Sequence, residues 1–203
     1  MVLRLDQLRH ARRPATVADL HALVVEHIRD LRHRIERENT DIYKQFWNLN
    51  GVDLESPRIE DSCRDLLVTM LKIDLRTLGV TIEPEGHMVA DKRADISVAM
   101  PGRKVLCELK RSYHGKVWSA ATEQLDRFYA HDPEAKGFGI YVVFWFGDED
   151  ARKVPAPPNG QKTPTSAPEM ERMLVASLPD AMKSRIAVIV INVSGPYSKV
   201  LKV

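Results

Sequence analysis

The stretch that decides the fold is Arg93–Tyr113, RADISVAMPGRKVLCELKRSY. Two runs rich in β-branched and apolar residues, ADISVAM (94–100) and KVLCELK (104–110), flank a Pro-Gly-Arg turn, which predicts two paired strands. A strand alternates its faces with period two. Val105, Cys107 and Leu109 therefore face one way, and Glu108 and Lys110 the other. If the turn pairs the strands, Asp95 reaches the face that carries Glu108. Two carboxylates held close repel each other and lose hydration. A divalent cation relieves both problems, and Mg²⁺ takes one or two carboxylates plus waters and phosphate oxygens. A lysine alongside can orient or deprotonate a water, or stabilise developing negative charge. Cation, water and lysine together suit hydrolysis of a phosphodiester. The plainer alternative is a surface ion-pair cluster on an edge strand. A second acid-x-lysine, Glu134-Ala135-Lys136, lies in a polar turn and reads as coincidence.

Working outward, TVADLHALVVEHIRDLRHRIERE (16–38) predicts a helix with a Thr16–Asp19 capping box. Its apolar face is Val17, Leu20, Val24, Ile28, Leu31 and Ile35. DIYKQFWNLN (41–50) predicts a second short helix, and Asn50-Gly51 a break. A strong helix follows in residues 56–79, with Pro57 near its start, Gly79 at its end and a stripe of Cys63, Leu67, Met70, Leu71 and Leu78. VTIEPEGHMV (80–89) predicts a strand, and KVWSAATEQLDRFYAHD (116–132) a helix with Val117, Ala121, Leu125 and Phe128 inward. GFGIYVVFWFG (137–147) and RIAVIVINV (185–193) are apolar runs of the kind buried on both faces. Between them lie a proline-rich loop (148–168) and a short helix. The order implies a mixed α/β sheet flanked by helices. Residues 1–50 read as an N-terminal helical extension and 51–203 as the main domain.

The pattern "ADI" at 94–96 and "ELK" at 108–110, with a helix glutamate upstream and a helix glutamine downstream, resembles the PD-(D/E)XK nuclease superfamily. Ala94 stands where that family usually has a proline, a residue that ligates nothing. The resemblance covers roughly residues 57–147. It implies the restriction-endonuclease-like αβββαβ core, with the first helix as an added layer. It implies that Asp95, Glu108 and the Leu109 backbone carbonyl hold Mg²⁺, with Mn²⁺ as a substitute, and that Lys110 acts on the attacking water. The helix glutamate would be Glu60, which shares a face with Leu67 and Leu71, whereas Asp61 is turned about 100° away. Asp74 also lies near that stripe, and a first-turn glutamate equally favours the helix dipole. Gln124 lies on the line of Val117, Ala121 and Phe128, and resembles the glutamine of the RecB-like QxxxY motif. Here Phe128 holds the fourth position and Tyr129 the fifth. A helix-edge amide bonded to backbone is the other reading. Arg111, His114 and Lys116, interleaved with Tyr113 and Trp118, would grip a nucleic-acid backbone beside such a site. Otherwise they form a solvated loop, with Trp118 in the core.

The totals bound these readings. A chain of 203 residues suits one full core, alone or with an appended helical segment. A net charge of +2 is too small to argue for nucleic acid by itself, so only a local patch counts. Cys63 and Cys107, without a CxxC, argue against a disulfide framework or cysteine zinc site and fit a reducing cytoplasm. Cys107 points away from Glu108 and reads as a core thiol. No apolar run is long enough to span a membrane, and the first residues lack the apolar core of a secretory signal. His21, His27 and His33 fall on different helix faces and cannot converge on zinc. There is no GxxxxGK[ST], GxGxxG or GxSxG.

The expectation is thus a Mg²⁺-dependent nuclease hydrolysing DNA, an endonuclease rather than an exonuclease. Cutting both strands needs two sites, which favours a homodimer, and the apolar face of the first helix could supply the interface. The alternative is a non-catalytic module of the same fold that binds nucleic acid or a protein partner within a larger defence or repair complex.

Overall fold

The computed structural model describes residues 13–38, 40–87, 93–126, 132–147 and 153–195. Helix α1, Val17–Arg37, starts at the capping box: the Asp19 N–H donates to Thr16 Oγ1 at 3.1 Å, and the Thr16 N–H donates to Asp19 Oδ2 at 2.8 Å. Its whole apolar face, from Val17 to Ile35, is buried. That face packs on the sheet described below and joins a core cluster with Cys63, Leu67, Val105, Cys107 and Val142. The face offered as a dimer interface is therefore spent inside the chain, and a homodimer would have to use another surface.

Residues 41–50 do not form the expected helix. A 3₁₀ turn, Ile42–Phe46, runs straight into strand β1, Trp47–Asn50, which pairs antiparallel with β2, Asp53–Pro57. Two causes are visible. Phe46 and Trp47 are drawn into the core, where the Trp47 indole N–H donates to the Val193 carbonyl at 2.6 Å. Gly51 takes the left-handed backbone conformation, φ 63°, that closes the hairpin. The boundary drawn at residue 50 falls at this turn. Pro57 ends β2 rather than opening a helix.

Helix α2, Glu60–Leu75, begins after Ile59 and buries Cys63, Leu67, Leu71 and Leu75 on the same sheet face as α1. A 3₁₀ turn, Arg76–Leu78, and Gly79 end it. Strands β3 (Thr81–His87), β4 (Arg93–Met100) and β5 (Arg103–Arg111) follow, paired antiparallel with one another in sequence order. Gly102, φ 71°, makes the turn between β4 and β5. Strands β6 (Gly139–Trp145) and β7 (Ile186–Asn192) add on parallel, giving the order β3-β4-β5-β6-β7. This is the mixed sheet flanked by helices that the sequence implied. All seven residues of β6 are buried, as its unbroken apolar run required.

The expected helix over 116–132 does not begin where its spacing suggested: turns occupy 115–119, and among the described residues a wide π-type turn, Ala121–Asp126, follows. Phe128 and Tyr129, and with them the second half of the QxxxY comparison, lie outside the described residues. This turn, together with helices α3 (Ala167–Ser177) and α4 (Asp180–Lys183), covers the second sheet face. That face carries Leu106, Tyr141, Val143 and Val188. At the end of the sheet, two carboxylates cap the free N–H groups of β7. Val190 donates to Glu171 Oε2 at 2.7 Å and Asn192 to Glu36 Oε1 at 2.8 Å. Arg32 of α1 also donates to Glu171, at 2.8 Å. Among the described residues no helix is long and apolar enough to cross a membrane.

Because α1 completes the main core, Ile28→Ala should behave as a core deletion, losing about 2–5 kcal/mol. Chemical denaturation followed by circular dichroism measures this. A loss well under about 1 kcal/mol would mean that the helix is only appended.

Candidate functional site

The site forms where three elements meet at the carboxyl end of β5. The β4–β5 ladder includes Met100 with Arg103 and runs up to Ile96 with Cys107. One step further, Asp95 comes alongside Glu108. Here the backbone ladder stops and a side chain takes over: the Leu109 N–H donates to Asp95 Oδ2 at 2.7 Å. Alternation along β5 sends Val105, Cys107 and Leu109 into the core under α1 and α2, and turns Glu108 and Lys110 to the face of Leu106. Both are buried all the same, at 4% and 5% exposure, among the few buried charged side chains of the described residues.

Lys110 draws the group together. Its Nζ donates to Glu108 Oε1 at 2.7 Å, to the Leu109 carbonyl at 2.7 Å and to Glu60 Oε1 at 3.2 Å, and lies 3.8 Å from Asp95 Oδ2. Glu60, on the first turn of α2, uses its other oxygen to accept the Arg111 N–H at 3.3 Å. Helix α2 and strand β5 are thereby pinned together by one carboxylate. The other helix acids are elsewhere. Asp61 is exposed and pairs with Arg64, and Asp74 pairs with Arg34 of α1.

The electrostatics follow from burial and mutual proximity. Burial pushes the Asp95 carboxyl above its ordinary value, and Glu60 pushes it the same way; Lys110 and the Leu109 N–H oppose them. Burial alone would lower the Lys110 ammonium, but Glu108, Asp95 and Glu60 outweigh it and hold it above the usual lysine value. Lys110 is therefore a firm cation in this arrangement. Burial pushes the Cys63 thiol up to about 12 and raises Cys107 further, so neither sulfur is a nucleophile.

The remaining expected residues divide. Gln124 lies on the π-type turn against β5 and β6, and its Oε1 is buried without a hydrogen-bond partner, an acceptor with nothing to accept. The Arg111 backbone belongs to the site, but its guanidinium stacks 4.9 Å from the Tyr113 ring centre and donates to the Arg58 carbonyl at 3.4 Å. His114 Nδ1 accepts the Lys116 N–H at 3.1 Å, and the Lys116 side chain is exposed. Trp118 is partly buried and donates to the Pro155 carbonyl at 2.8 Å. His21 donates its Nε2–H to the Gly139 carbonyl at 3.1 Å.

Two residues escaped the sequence reading. Arg64 is 8% exposed, one turn after Glu60 on α2, and its charge acts to lower Asp95. Its i+4 spacing from Glu60 was the available signal. Tyr141 stands beside Glu108 in the β5–β6 register, and its hydroxyl donates to the Val117 carbonyl at 2.8 Å. Nothing in an apolar run singles out that one tyrosine.

Residues 20–148 match a family described as a domain of unknown function (DUF8371). The chain belongs to the DUF8371 family. The matched span runs from α1 through β6 and encloses Glu60, Asp95, Glu108, Lys110 and Gln124. No curated protein and no solved structure matches the chain.

The donors of this DUF8371 chain suit a hard cation. Asp95, Glu108 and the Leu109 carbonyl present only oxygen, the preference of Mg²⁺ rather than of zinc or copper. Among the described residues no three His, Cys, Asp or Glu side chains are grouped so as to hold a metal ion by themselves. A positive charge already sits among these oxygens, however: the Lys110 ammonium stands in for a cation. Removing it by Lys110→Met strands the buried Glu108 carboxylate and should cost about 3–5 kcal/mol. Urea denaturation reads this loss, and a change under about 1 kcal/mol would mean that the group is solvated rather than buried.

Proposed function

We propose that the protein is a Mg²⁺-dependent nuclease that hydrolyses DNA phosphodiesters, with a restriction-endonuclease-like αβββαβ core and endonucleolytic cleavage. One observation carries this reading. Asp95, Glu108, Glu60 and the Leu109 carbonyl, drawn from three separate elements, converge on Lys110. A random surface ion-pair cluster has no reason to be buried or to recruit a helix terminus, a hairpin and a backbone carbonyl at once. The order of elements supports it as well: helix α2, three antiparallel strands, a helical turn and a parallel strand.

In this reading Asp95, Glu108 and the Leu109 carbonyl hold the ion. When bound, Mg²⁺ would supply Lewis acidity at the phosphoryl oxygens and acidify a water. The protein's own groups do the rest. Lys110, held charged by its carboxylates, orients the attacking water and offsets negative charge growing on the phosphate. Glu60 fixes the lysine head through one oxygen and the β5 backbone through the other. The water oxygen bonds to phosphorus as the bond to the 3′ oxygen breaks, leaving a 5′-phosphate and a 3′-hydroxyl. Arg111, His114 and the exposed Lys116 follow directly on the site and supply donors for the flanking phosphates.

One observation favours a second reading. Lys110 satisfies the carboxylates without any metal, as it would in a non-catalytic module of the same fold that binds nucleic acid or a partner protein. Cleavage separates the two. Wild-type protein with millimolar Mg²⁺ or Mn²⁺ should cut plasmid or single-stranded DNA. Asp95→Ala, Glu108→Ala and Lys110→Ala should each lose about 10²-fold or more, and chelation should abolish cutting. If every substrate stays intact, or the variants cut as well as wild type, the nuclease reading fails.

A further inference from the structure

The metal ligands of the proposed site are the same atoms that hold Lys110. Glu108 Oε1 and the Leu109 carbonyl each lie 2.7 Å from its Nζ. These oxygens have lone pairs for more than one partner, but an ammonium and a divalent cation drawn to the same two oxygens are like charges held only a few Å apart, so each disfavours the other there. The charge count also matters. Three carboxylates face one ammonium within 4 Å, with the Arg64 charge acting on Asp95 from further off, so ionised carboxylates outnumber the ammonium among them. A divalent ion is better accommodated if the lysine stays beside the carboxylates than if it leaves for solvent.

We propose that Lys110 is the resident cation of an exchange site. It vacates Glu108 and the Leu109 carbonyl when a divalent ion binds, and Glu60 keeps hold of it. Glu60 is placed for this role. Its carboxylate is 23% exposed and that of Asp95 27%, whereas Glu108 is 5% exposed, so Glu60 lies with Asp95 on the open side of the group. It already touches Nζ at 3.2 Å, and its second oxygen is anchored on the Arg111 N–H, so it does not follow a departing metal ligand. The flexible lysine stem lets the head swing while the strand stays fixed. On this account Glu60 is a positioning residue that binds the lysine and not the ion. Lys110 in turn lowers the apparent metal affinity by the fraction of time it fills the site. If the seat is filled about nine-tenths of the time, that reduction is about tenfold.

The proposal rests on the metal-dependent reading above, and its test separates the two. Mn²⁺ binding is measured by titration calorimetry on wild type, Lys110→Met and Asp95→Asn. Lys110→Met should bind roughly tenfold tighter, while Asp95→Asn should bind much more weakly. Tighter binding alone also reports a lost positive charge, and that variant is expected to be destabilised. Position is therefore read on the wild type. The protein is treated with an amine-acetylating ester with and without saturating Mg²⁺ at matched ionic strength, and modification of Lys110 is quantified by mass spectrometry. Lys110, 5% exposed at rest, should become several-fold more reactive with Mg²⁺, and the Asp95→Asn protein should show no such rise. Metal binding with unchanged or reduced Lys110 labelling overturns the exchange and leaves the nuclease reading standing. If no metal binds to the wild type, both fall.

Discussion

The ammonium of Lys110 is the constraint around which the site-bearing half of the chain is arranged. Burying carboxylates without a counter-charge is prohibitive, and a pair survives burial only with close geometry and satisfied lone pairs. Here one cation answers three acids and a carbonyl. Each partner fixes a different element. Glu108 sets the side-chain parity of β5, and Asp95 holds the end of β4 by taking the Leu109 N–H. Glu60 ties the start of α2, which has no side-chain cap of its own, to the backbone of β5. Shifting β5 by one residue would bury Cys107 and Leu109 where the charges now lie, and expose the charges to the apolar cluster under α1.

The location of this group follows from topology. Strand β5 is antiparallel to β4 and parallel to β6, so the sheet changes character across it. In open α/β sheets the carboxyl ends of strands, at points where the connection pattern changes, leave room for a ligand because neighbouring connections diverge there. Lys110 and Arg111 are the last residues of β5, at such a point. Tyr141, one strand over, ties the Val117 carbonyl down, which holds the segment after the site against the sheet.

Much of this could be read from the residues alone, and the failures have physical causes. Period-two alternation gave both faces of β5, the Thr16–Asp19 spacing gave the start of α1, and the unbroken apolar run gave β6. All three are local signals. Residues 41–50 misled because their apolar spacing fits a helix. What decides them is non-local: Trp47 finds the Val193 carbonyl across the chain, and Gly51 turns the strand back. Residues 116–132 also show helical spacing, yet Val117 is held by Tyr141 in a turn, and the helical backbone described after it, Ala121–Asp126, is of the wide π type. Asp95 and Glu108 could be paired from the hairpin, whereas Glu60 could only be chosen by its helix face, since strand and helix meet through tertiary packing. Arg64 and Tyr141 stayed hidden because ordinary residue types at ordinary positions carry no local mark.

Helix α1 reaches across to the far end of the sheet as well. Glu36 from α1 and Glu171 from α3 occupy two N–H groups of β7, those of Asn192 and Val190, that would otherwise invite another strand, and Arg32 ties those two helices together beside them. The seal is thus made of side chains borrowed from the helical layers and not of the strand itself. Its integrity depends on both helices being docked. A chain whose helices have not yet packed, or have come loose, presents a bare strand edge. In the assembled chain this stretch of β7 is covered, so the same contacts that complete the core also guard that edge of the sheet.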